Sequence, residues 1–162
     1  RKVNAAQPDT KAPVELATTT ETTAGTNSTR AVTPVGLAKS VFGTKVIGVI
    51  AVERATSLAV GDGKVDIPIP AALNGMNLTR AQAMVITAGT TNATTIAIYN
   101  ATDSVEMLSG NISIASGATV GTVGTINTAN DDVATNDVLR VDVDAISTTA
   151  PKGLLVVLEF AL

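Results

Sequence analysis

Two stretches, VLRVDVDAIS from Val138 and LLVVLEFAL from Leu154, constrain the fold more than any other part of the chain. In the first, Leu139, Val141, Val143 and Ala145 fall on one side and Arg140, Asp142 and Asp144 on the other. A period of two is that of a strand with one dry and one wet face. The second is apolar from Leu154 to Phe160 except for Glu159, as in a strand covered on both faces, central to its sheet or under a partner subunit. Pro151 and Gly153 punctuate the connection between them. From Thr44 onward the same grammar repeats. Strands are predicted over 45–54, 64–69, 77–87, 94–100, 104–108, 111–114, 121–126, 138–146 and 154–162. Turn signals lie between them at Gly61-Asp62-Gly63, Asn74-Gly75, Ala88-Gly89, Ser109-Gly110 and Ser116-Gly117. Pro68 and Pro70 lack donor N–H groups, which makes 64–69 an edge strand. Residues 44–162 therefore read as an all-β, antiparallel, jelly-roll-like β-sandwich.

Composition limits the chemistry. The chain is 45% hydrophobic but only 2% aromatic, so its core must be built from aliphatic side chains. Charged residues make up 15% against the usual ~25%, which suits a subunit whose faces are largely covered by neighbours. A net charge of −3 with no basic run argues against nucleic-acid binding. Nothing approaches the ~20 apolar residues of a membrane-spanning helix, and the basic start, Arg1-Lys2, has no hydrophobic segment behind it to form a secretory signal. Cysteine and histidine are absent, which removes thiol chemistry, imidazole ligands and the ordinary triad base. No cofactor and no enzymatic activity are expected.

Residues 1–32 are too polar to bury a core alone. They read as an extended arm, ordered only against copies of itself or another surface. In 33–43, Thr33 is placed to cap and Pro34 to open a helix over 34–42, with Leu37, Val41 and Phe42 on one face. Fewer than three turns would not hold alone in water, so that face must dock.

The run from Val14 to Val41 resembles the fibre module of tailed bacteriophages. That module opens on G/P-x-V-x-L-A-T, here Pro13-Val14-Glu15-Leu16-Ala17-Thr18. It continues through Thr/Ser/Asn-rich filler and closes on R-A-V-T-P-x-G-L, here Arg30-Ala31-Val32-Thr33-Pro34-Val35-Gly36-Leu37. The later pattern of strands and turns also resembles a β-domain of phage virion proteins. The resemblance implies a virion structural protein at the particle surface that assembles as a homotrimer. Long tail fibres repeat the module many times, so one copy implies a short head or tail fibre, or a decoration subunit. Expected partners are other copies of the chain and capsid or tail proteins. Val14, Leu16, Val32, Leu37, Val41 and Phe42 are the residues expected at contacts between copies. A glycan-binding, receptor-recognition module at a fibre tip is the alternative, with host surface glycan as partner, although so few aromatics argue against it.

Other candidate sites have plainer explanations. Asp131, Asp132 and Asp137, with Asn130 and Asn136, offer the oxygen ligands calcium takes. Their spacing is not that of an EF-hand and no glutamate closes the loop, so a solvated turn is expected. Asp142 and Asp144 share a strand face as a carboxylate pair might, but Arg140 beside them favours ionised forms and a wet face. Gly61-Asp62-Gly63-Lys64 lacks the spacing of a phosphate loop and reads as a tight turn. Tyr99 is expected to be a partly buried core residue. Sequons at Asn27, Asn77, Asn92, Asn100 and Asn111 are expected by chance in so Thr- and Ser-rich a chain.

Overall fold

A computed structural model describes residues 15–26 and 29–162. Val14 and Asn27 lie outside the described residues. The chain divides into two compact units, Arg1–Gly43 and Thr44–Leu162.

The first unit holds a helix where the sequence reading placed extended chain. Helix α1, Thr19–Ala24, is fixed by a capping box. The Glu21 N–H donates to the Thr18 hydroxyl (3.2 Å) while the Thr18 N–H donates to the Glu21 carboxylate (3.0 Å). Gly25, at φ +64°, ends it in the left-handed region. The flanking chain is drawn together by N–H donation from Ala17 to Ala31 O (2.9 Å) and from Ala31 to Glu15 O (3.0 Å). Arg30 bridges the Glu15 and Glu21 carboxylates. That guanidinium, aided by Thr18, holds the Glu21 carboxyl down at about 2.

Helix α2, Pro34–Ala38, starts where expected, with the Gly36 N–H donating to the Thr33 hydroxyl at 2.9 Å. It is shorter than the predicted 34–42. The Ser40 hydroxyl donates back to Leu37 O (2.7 Å), and the chain tightens into a 3-10 turn over Val41–Gly43. A Cβ at Gly43 would fall 1.7 Å from the Ala38 carbonyl oxygen, so only glycine allows this return.

The second unit is a β-sandwich. Its strands are β1 Lys45–Ser57, β2 Gly61–Pro68, β3 Met76–Thr87, β4 Thr94–Asn100, β5 Val105–Glu106, β6 Leu108–Gly110, β7 Ile112–Ile114, β8 Val120–Val123, β9 Thr125–Ile126, β10 Asp132–Val133, β11 Val138–Ala145 and β12 Lys152–Ala161. Sheet I runs β1-β12-β3, with β10 and β8 paired to the far side of β3. Sheet II runs β2-β11-β4, with β5 and β7 paired to the far side of β4. All pairings are antiparallel, and β6 and β9 form a separate ribbon. The orders β1-β12-β3-β8 and β2-β11-β4-β7 make a jelly roll, because the chain crosses between sheets at β1→β2→β3→β4 and again at β7→β8, β10→β11 and β11→β12. As predicted, β2 is an edge strand and β12 is central to its sheet.

Alternation decides what the sheets bury. Sheet I sends in Leu78, Ala81, Ala83, Val85, Leu154, Val156, Leu158 and Phe160. Sheet II answers with Ile67, Ile96, Ile98, Ile112, Ile114, Leu139, Val141 and Val143. Phe160 is the core's one aromatic ring and is fully buried. Burying each of the Val, Leu, Ile and Phe side chains among them contributes about 1.5–3 kcal/mol. Within one chain the outer face of β12 is only partly covered: its residues Leu155, Val157 and Glu159 are half-buried. Gly153, at φ +64°, starts the strand where a Cβ would lie 2.8 Å from Ile86 Cγ1 and 3.0 Å from Arg54 Cα.

Candidate functional site

The oxygen-rich loop is structural. The Asp137 carboxylate is buried and accepts from the Ala134 N–H (2.7 Å) and from Asn100 Nδ2 (3.2 Å). Asn100 Oδ1 in turn accepts from the Thr102 and Asp103 N–H groups. Asp131 gives its carbonyl to the Leu78 N–H (2.6 Å), and Asp132 pairs with Asn77 in the unpredicted strand β10. Among the described residues no three acidic side chains gather as they would around a cation. The loop is a knot of turns, and only part of it is solvated.

The outer face of sheet II carries a connected polar cluster. Arg140 sits between two neighbours across the sheet, Asp66 on β2 and Tyr99 on β4. Its guanidinium reaches along its own strand to Asp142, with Nε 2.8 Å from Oδ1 and Nη2 2.7 Å from Oδ2. It lies 4.5 Å from the centre of the Tyr99 ring and 3.4 Å from Asp62. The Gly63 N–H donates to Asp142 Oδ1 at 2.7 Å, so Gly61–Lys64, expected to be a tight turn, is instead the first part of strand β2 and is fastened by that carboxylate. Two expectations are corrected. Asp142 does not sit on a wet face: it is buried beneath Arg140 and the Gly63 backbone. Tyr99 is not a core residue: its neighbour Ile98 takes the inner position, and the ring stacks with Arg140 outside. Asp144 stays exposed and accepts from Asn111 Nδ2 at 2.6 Å. Partial loss of solvent, then the charges of Asp142 and Asp62, raise its pKa. Partial loss of solvent also raises Glu106, followed by Asp144 and Asp142. Arg140 is committed to Asp142, and Asp144 and Glu106 lie outside that pair.

The outer face of sheet I is different, and sequence reading did not single it out. Register sets Ile50, Leu155, Met84 and Val120 in one row across β1, β12, β3 and β8, and Gly48, Val157, Gln82 and Val123 in the next. Val46 (61%), Ile50 (59%), Val120 (50%), Val123 (47%) and Met84 (40%) stand exposed. A depression of about 150 Å³ beside them is lined by Ile50, Val52, Ile86 and Leu155, with Glu53 and Arg54. The signal was present in Lys45–Val52, KVIGVIAV, whose apolar residues fill both parities. Such a run belongs to a strand covered on both faces.

The first unit carries a second uncovered apolar set. Leu16 (56%), Val32 (50%), Leu37 (47%), Val41 (57%) and Phe42 (62%) are exposed, as is Val35 (64%). Among its described residues the buried ones are Thr22, Gly36 and Ser40, so none of its described apolar side chains is buried.

No protein-family model matches the chain, and no significant match was found among curated proteins or solved structures. Among the described residues no helix is long and apolar enough to cross a membrane.

Proposed function

We propose that this chain is a structural subunit of a tailed-phage particle, a short head- or tail-fibre or decoration protein at the virion surface. Its copies associate as a homotrimer through the first unit. One observation carries the reading. The described residues of that unit bury no apolar side chain while exposing six large ones, Leu16, Val32, Val35, Leu37, Val41 and Phe42. Helices of six and five residues are too short to persist on their own, so a segment this incomplete takes its stability from contacts beyond itself. The closing motif Arg30–Leu37, similar to that of phage fibre modules, says which assembly. Jelly rolls recur in viral capsid and lectin domains, an analogy of fold alone. The glycan-binding alternative draws less support, because Tyr99, the chain's one tyrosine, is engaged by Arg140.

Light scattering on the full chain and on a chain begun at Thr44 tests the association. The full chain is expected to contain three copies or a multiple of three, and the shortened chain to lose the threefold unit. Three copies in the shortened chain would overturn the assignment of the contact to residues 1–43. Antibody labelling of intact phage particles in electron micrographs tests the location, and particles left bare would count against it.

A further inference from the structure

The two long edges of the sandwich are built differently. Edge strand β2 carries Lys64, Asp66 and Pro68 and a register shift against β11, each of which discourages another strand from adding. Edge strand β1 is paired on one side by β12, and among the described residues no strand pairs its other side. From Val46 to Val52 it has neither charge nor proline. Its free N–H and C=O groups are a template that only another extended chain can satisfy.

We propose that a second copy of this chain supplies that strand, β1 against β1, antiparallel and centred on Gly48. The sequence around Gly48 is self-complementary. In this register Val46 faces Ile50 of the second copy, Ile47 faces Val49, and Gly48 faces its own counterpart. Every non-glycine position therefore sets one β-branched side chain against another, as a twofold contact requires. Gly48 has open space where a Cβ would stand, so nothing obstructs the axis. Pairing runs out at the bulge between Ile50 and Val52, which breaks the regular edge. Lys45 and Glu53 are the first charges flanking the apolar run. Antiparallel pairing brings the Lys45 end of each copy to the Glu53 end of the other, whereas parallel pairing would set like charges together. On the outer face, the row Ile50–Leu155–Met84–Val120 then continues into Val46 of the second copy. The contact lies wholly within sheet I and does not rest on the trimer.

The test uses the full chain, which has no cysteine of its own. Gly48→Cys places one thiol on the axis, where Cα atoms of an antiparallel pair lie about 4.5–5.5 Å apart, within disulfide reach. With diamide as oxidant it is expected to give a disulfide-linked dimer far faster than Val123→Cys, an exposed control on β8. Equal rates would overturn the proposal. Light scattering on charge variants adds a second reading. Val46→Lys with Ile50→Lys sets lysine against lysine and is expected to halve the wild-type mass. Val46→Lys with Ile50→Glu sets lysine against glutamate and is expected to keep it. An odd copy number in the wild type, or identical behaviour of the two double variants, would overturn the twofold contact. The two readings separate cleanly: three copies remove this proposal and leave the trimer, two copies do the reverse, and six copies keep both.

Discussion

Sheet II turns Arg140, Asp142, Asp62 and Tyr99 outward and fastens them to one another. Sheet I turns Val46, Ile50, Met84, Val120 and Val123 outward and leaves them bare. The sheets share one core and matching strand orders, so the contrast does not come from the fold. It comes from what each outer face has for company. On sheet II an arginine reaches its own carboxylates and an aromatic ring, and the face is complete within one chain. On sheet I the face's polar side chains Arg80, Gln82 and Glu159 bond to one another, Arg80 donating to Glu159 at 2.7 Å and to Gln82 at 2.6 Å. The exposed apolar groups there have neither charge nor hydrogen-bonding capacity to trade. Only burial can improve their free energy. A bare apolar face beside an unpaired edge is a surface awaiting another one.

The largest effect should come from the side of β12 that faces the core. Leu158→Ala, at a fully buried position, is expected to cost about 2–5 kcal/mol in denaturant unfolding. Val157→Ala, the next residue but on the outer face, is expected to cost less than about 1 kcal/mol. Equal costs would mean that the outer face of sheet I is packed within the chain, and the contrast between the two sheets would fall.

The second comparison sets face against face. Asp142→Ala strands Arg140 and frees the Gly63 N–H, and is expected to cost about 2–3 kcal/mol, because Asp142 is buried although its arginine partner is partly solvated. Met84→Thr with Val120→Thr on sheet I is expected to change stability by less than about 0.5 kcal/mol while raising solubility. Thermal melts on the two variants check this. A neutral Asp142→Ala would show that sheet II is no more self-sufficient than sheet I.

The long strands were legible because each carries its own period, whereas the predicted strands 104–108 and 121–126 each divide in two, into β5 and β6 and into β8 and β9. Val138–Ala145 alternates, and Ile96 and Ile98 share a face that no turn interrupts. Strand β10 was not legible, since two residues inside an Asx-rich loop carry no period and Asp132–Val133 pairs only because β3 passes by. Helix α1 left a signal that went unread: Thr18-x-x-Glu21 has capping-box spacing, but a threonine-rich run has weak helix propensity. The polar face of sheet II was half legible. Arg140, Asp142 and Asp144 were seen to share a side, but not that Gly63, far away in sequence, would close over Asp142, or that Tyr99 would stack with Arg140. The apolar face of sheet I was not legible as a face, for a physical reason. Continuous apolar runs report that both faces of a strand should be covered, and they do not report whether the cover belongs to the same chain.

The smallest effect bears on how complete sheet II is. Asp144 and Glu106 both have pKa values raised in the fold, first by partial desolvation and then by neighbouring carboxylates, Asp142 and Asp62 for the one and Asp144 and Asp142 for the other. A raised carboxyl favours the folded state while it is protonated. Its contribution is present below the unfolded value and is lost as pH rises through the folded one. Asp144→Asn should therefore match the wild type near about pH 3 and exceed it near about pH 7, by about 0.5 kcal/mol or less because both groups are largely solvated. Glu106→Gln should do the same, and the double variant should gain less than the sum, since each carboxylate accounts for part of the other's penalty. Urea unfolding at the two pH values measures all three. A loss of stability at neutral pH in Asp144→Asn would mean that the charge itself, through Asn111 at 2.6 Å, helps hold the face together.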